Sequence, residues 1–135
     1  MPDPYGTILI DVSAGVGAEF DRSFLERTGH HVLVCHGPEH GQLCPLLAGT
    51  GCDQFDHAHG IVFALDLDEA QHRAILQRYG EITRPEVPIR VVVRPGQRAK
   101  YADVVEAFEV WEHEPTAADL DGFAAGVEAV DRFTE

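Results

Sequence analysis

Two aspartates close apolar runs and would sit where carboxylate chemistry is done. Asp11 follows Thr7-Ile8-Leu9-Ile10, and Asp66 follows Ile61-Val62-Phe63-Ala64-Leu65. A carboxylate ending a buried strand is costly unless it is solvated, paired or in use, so a rim carrying both is a candidate for cation binding or acid–base work. A second constellation lies between them: Cys35, His36, His40, Cys44, Cys52, His57 and His59 put seven soft or borderline ligands within 25 positions. Zinc takes about four such ligands in a tetrahedron, and three thiolates suit an iron–sulfur cluster. Cys35, Cys44, Cys52 and His36 are therefore an alternative metal set, for Zn or Fe–S, although no tight C-x-x-C pair supports it. Cys35 and His36 do not make a nucleophile and base, because neighbours on a strand point to opposite faces.

The elements that must position these residues alternate in period. Short β-branched runs at Thr7–Ile10, His31–Val34, Ile61–Leu65, Ile89–Val93 and Phe108–Trp111 are separated by helical spacing, which is the mark of successive βαβ units. The third run is apolar throughout and reads as a central strand covered on both faces; the fifth is more polar and suits an edge. Val16, Phe20, Phe24 and Leu25 form one helical stripe, ending near Gly29; Ile75, Leu76, Tyr79 and Ile82 form another, ending before Pro85. Tyr101, Val104 and Val105 mark a shorter helix. Thr116 with Asp119 reads as the capping box of the last, whose buried side carries Leu120, Phe123, Ala124, Val127 and Val130. Asp68 with Gln71 reads as the cap of the helix before Pro85. Between 37 and 58, six glycines and prolines limit helix to a turn or two around Leu46 and Leu47.

Five parallel strands with right-handed crossovers predict an α/β fold, a three-layer α/β/α sandwich with flavodoxin-like order 2-1-3-4-5. Its ligand rim lies at the carboxyl ends of the strands, which brings Asp11 and Asp66 together. At 135 residues the chain reads as one domain, 1–135. Twenty-three acidic against ten basic residues give a formal charge of −13, which repels nucleic acid and anionic lipid. No apolar run approaches a membrane span, and three cysteines are too few for a secreted disulfide framework, so a cytoplasmic protein is expected. Ser13-Ala14-Gly15-Val16-Gly17 sits where a dinucleotide turn would, but lacks the third glycine and carries Glu19 and Asp21 where phosphate would bind.

The series of elements resembles the receiver domain of bacterial response regulators over nearly the whole chain. Ile8-Leu9-Ile10-Asp11 is similar to the first strand with its acidic end, and Ile61 to Leu67 to the third strand ending at the phosphoryl-accepting aspartate. Pro88 to Val93 is similar to the fourth strand, and Glu114-Pro115 with Leu120 and Phe123 to the Lys-Pro junction and last helix. The resemblance implies a metal-assisted phosphorylation pocket, and this chain departs from it in three places. Val12 and Ser13 follow Asp11 where a second acid would hold Mg²⁺; Val93-Arg94 replaces the hydroxyl residue; Glu114 stands where the lysine should. Asp11, Asp66, Arg94 and Glu114 would then form a degenerate acidic pocket, with no catalytic residue, in a pseudo-receiver. Arg94 is expected to face solvent, with an ion pair to Asp66 or Glu114 as the alternative.

The expected function is a non-enzymatic signalling module without a cofactor, acting through a protein partner or a homodimer contact on its C-terminal elements, where Tyr101, Trp111 or Phe133 would be exposed. A metal- or thiol-dependent sensor built on Cys35, Cys44 and Cys52 is the alternative, and a small-molecule enzyme at the sheet rim is the third.

Overall fold

Strand parity governs this architecture. A computed structural model of the chain describes residues 6–12, 19–37 and 44–134, with side chains as far as 127. In chain order the elements are β1 (Thr7–Val12), α1 (Glu19–Arg27), β2 (His31–Cys35), α2 (Pro45–Ala48), α3 (Asp53–Asp56), β3 (Gly60–Ala64), α4 (Ala70–Ile82), β4 (Ile89–Val92), α5 (Gln97–Lys100), α6 (Ala102–Val105), β5 (Glu109–Trp111) and α7 (Ala117–Thr134). All five strands are parallel in the order β2-β1-β3-β4-β5, as the periodicity predicts.

Side chains alternate across the sheet and sort into two cores. Ile8, Ile10, Val12 and Val62 face Leu25 of α1 and Leu120, Phe123 and Val127 of α7. Leu9, Ile61, Phe63 and Val91 face the opposite side, towards Leu46 of α2, Ile75, Leu76 and Tyr79 of α4, and Val104 and Val105 of α6. Full burial of each such side chain is worth about 1.5–3 kcal/mol, so neither core needs a disulfide or metal to hold it. Gly60 lets α7 lie directly on β3, since a Cβ there would meet Val127 Cγ2 at 2.5 Å.

Thr116 and Asp119 form the expected capping box: the Thr116 N–H donates to Asp119 Oδ2 at 2.9 Å, and the Asp119 N–H to Thr116 Oγ1 at 3.2 Å. Asp68 does not cap α4, which starts from Glu69 without a side-chain cap. Its carboxylate is drawn away, accepting from Tyr101 Oη at 2.7 Å and Lys100 Nζ at 3.4 Å, while Gln71 Oε1 accepts the Cys44 N–H. The helix expected at Tyr101 to Val105 is α6, preceded by the separate turn α5 and broken from it at Tyr101 (φ −118°, ψ 36°). The segment around Leu46 and Leu47 is helical as expected, and α3 adds a further turn after Gly51. Gly15, Gly17, His40 and the Val16 end of the first stripe lie outside the described residues.

Candidate functional site

Asp11 and Cys35 are register partners on adjacent parallel strands, so their side chains leave the sheet on the same face. That face is the one covered by α2 and α4. There they line a cavity of about 190 Å³ with Cys44, Cys52 and Tyr79. Asp11 is only 1% exposed and accepts a hydrogen bond from Tyr79 Oη at 2.8 Å. The Tyr79 ring is held by a stacked Phe55 (5.0 Å) and an edge-on Phe63 (6.0 Å), which fixes the hydroxyl over the carboxylate. Burial pushes the Asp11 carboxyl up to about 7, against the opposing hydrogen bonds from Tyr79 and Cys35. Cys35 is raised to about 11, by burial first and the Asp11 charge second, while its sulfur accepts the Gly37 N–H at 3.4 Å. Burial, then Asp11, drives the Tyr79 phenol far above its ordinary value.

Asp66 belongs to a different neighbourhood. Its Oδ1 accepts from the Asp68 N–H at 3.0 Å and from Gln97 Nε2 at 2.9 Å, and its Oδ2 lies 2.7 Å from Arg94 Nη1. Partial burial opposes ionisation, but these three donors outweigh it and hold the carboxyl below the usual range. Arg94 is therefore paired with Asp66, the alternative reading, while its side chain stays half-exposed to solvent. Gln97, itself buried, organises the turn by accepting the Arg94 N–H at 3.0 Å through Oε1.

A third site lies at the rim on the α1 and α7 side. A cavity of about 230 Å³ is lined by Val12, Asp21, Leu65, Arg94 and Glu114 among others. Asp21, on α1, is pushed up to about 6, chiefly by burial and then by the negative charge of Glu114. Two acidic groups thus share this cavity with the Arg94 guanidinium.

The four residues expected in one acidic pocket are accordingly divided. Arg94 and Glu114 line the rim cavity, Asp66 is tied to Arg94 from outside it, and Asp11 is beneath α4. The reason is parity: on β1 it is Val12 that faces the rim cavity, and Asp11 points the other way. The alternative metal set is corrected on the same ground. Cys35, Cys44 and Cys52 share one cavity, but His36 leaves the opposite face, with Nδ1 3.1 Å from the Val12 carbonyl oxygen. Among the described residues no three His, Cys, Asp or Glu side chains are placed to hold a metal ion.

No family model matches the chain, and no curated protein matches it. Among solved structures it is similar to a response regulator receiver domain protein from Clostridium thermocellum, at 17% identity with a TM-score of 0.68, covering 96% of this chain and 99% of that one. The chain has a receiver-like fold. At that identity the likeness concerns architecture, so chemistry has to be argued from this receiver-like chain's own residues. Two of those were not singled out from sequence as site residues. Tyr79 reads only as part of an apolar stripe, and Asp21 only as an anion near a helix start; strand parity was the available signal, since Leu9 and Asp11 share a face that α4 must cover.

Of the expected aromatic markers of a partner surface, Tyr101 and Trp111 are half-buried. Trp111 packs edge-on against Phe123 at 6.3 Å, and Tyr101 lies under Arg73 and Lys100, at 4.9 and 5.3 Å from its ring centre; the Phe133 side chain lies outside the described residues. Among the described residues no helix is long and apolar enough to cross a membrane.

Proposed function

We propose that the chain is a non-enzymatic signalling module, receiver-like along its whole length, that acts in the cytoplasm by engaging a protein partner without aspartyl phosphorylation. The observation that carries this reading is the separation of Asp11 from Asp66. A hard cation needs several oxygen ligands converging at about 2–2.6 Å, and here one carboxylate is buried under Tyr79 while the other is occupied by Arg94 and Gln97. Glu114, an anion where the receiver resemblance calls for a lysine, lines the rim cavity and is not among the groups that act on Asp66. The fold likeness supports the signalling class, and the formal charge of −13 favours a protein partner over nucleic acid. The C-terminal elements, β5 and α7, are the partner or homodimer face in this reading.

Intact-mass measurement after incubation with acetyl phosphate and Mg²⁺ tests it. An unchanged mass is expected. A phosphoryl adduct that disappears in Asp66→Asn overturns the reading.

A further inference from the structure

Among the described residues Asp11 is a buried carboxyl group with no cationic partner. Its neighbours in the cavity are neutral donors: Tyr79 Oη at 2.8 Å and the Cys35 thiol, with no Lys, Arg or His among the described residues acting on it. Leaving a carboxylate unpaired in an apolar interior is expensive, and an ammonium that also donates hydrogen bonds is the partner that relieves the cost most directly. The remaining walls are aliphatic, from Leu9, Leu46, Leu65 and Ile75. At about 190 Å³ the space exceeds the roughly 150 Å³ that holds a benzene molecule in an engineered protein cavity, leaving room for a ring and a one-carbon amine head. Among the described lining residues Pro45 is exposed and Cys44, Cys52 and Gln54 are half-buried.

We propose that this cavity binds a small primary amine of about one ring's size, with its ammonium on Asp11 and its apolar body against Leu9, Leu46, Leu65 and Ile75. Carboxylate and phosphate ligands are repelled by Asp11 once it is ionised. A neutral alcohol leaves the buried charge uncompensated. The proposal is independent of partner binding at β5 and α7: it concerns the opposite face of the sheet, and either can fail without the other.

Among the described residues the titratable groups facing Asp11 are Tyr79 from α4, Cys35 from β2, and Cys44 and Cys52 from the connection. Because burial sets the Asp11 carboxyl near 7, amine affinity rises with pH through that value and is greatest while the amine is still protonated. The probe is benzylamine, titrated into the full chain and followed calorimetrically and by amide chemical shifts. At about pH 8 a saturable one-to-one complex with Kd of about 0.1–1 mM is expected, with shifts centred on Cys35, Leu46 and Tyr79. Toluene, the same ring without the charge, should bind at least about tenfold more weakly, and benzylamine itself should weaken by about tenfold at about pH 6. Asp11→Asn, which keeps the shape of the side chain, should abolish both the preference for amine and the pH dependence. Absence of saturable benzylamine binding, equal affinity for toluene, or shifts confined to other surfaces overturns the proposal. The toluene and pH arms use the unaltered chain, so the result stands even if the variant folds poorly.

Discussion

Replacing Asp11 by Asn should make the protein more stable at neutral and alkaline pH, and the gain should grow with pH. The unfolded carboxyl titrates near the ordinary value of about 4, whereas burial sets the folded one near 7. Between those values the native state holds a proton that the unfolded state has released, so wild-type stability falls as pH rises across this window. At about 1.4 kcal/mol per pH unit the whole window is worth on the order of 4 kcal/mol, and the part between about pH 5.5 and 8.5 is worth about 2 kcal/mol. Asn preserves an acceptor for Tyr79 Oη and carries no charge to desolvate. Asp21 and Asp66 titrate in both proteins alike: Asp21, also raised, adds to the loss, while Asp66, held low by its donors, contributes stability that disappears only in acid. The difference between variant and wild type cancels them. Urea unfolding followed by Trp111 fluorescence across that range should therefore show the variant gaining about 2 kcal/mol relative to wild type. Parallel curves, with a constant difference, would refute the assignment of Asp11 as a buried, cation-free carboxylate.

Gly60→Ala should destabilise by about 1–3 kcal/mol, because its methyl would lie 2.5 Å from Val127 Cγ2 and 3.0 Å from Phe123 Cζ; an unchanged urea midpoint would mean that α7 does not lie on β3 as described. Arg94→Ala should cost less than about 1 kcal/mol, since the guanidinium is half-exposed, yet it should move the Asp66 carboxyl titration upward in an NMR-monitored acid titration. No movement of Asp66 would mean that the ion pair does not form in solution.

Much of the sheet was legible because period is a local property. A short, unbroken apolar run at Ile61–Leu65 between turn residues reads as a strand covered on both faces, and right-handed crossovers then leave few orders for the rest. The Thr116 and Asp119 cap was equally local. Side-chain partnership was not. Asp11 and Asp66 both follow apolar strand runs, yet parity sends Asp11 and Val12 to opposite cores. Asp68 looked like a helix cap until Tyr101 and Lys100, more than thirty positions away, claimed its carboxylate. Pairing of Tyr79 with Asp11 depends on the rotation of α4 about its axis, which an apolar stripe defines only to within a residue or so.

Leu65 borders both the thiol-lined cavity beneath α4 and the rim cavity beside Glu114. One aliphatic side chain, 2% exposed, is thus a party wall between two chambers of opposite character. In an interior packed to the density of an organic crystal such a wall has little slack, so whatever presses on it from one room is felt in the next.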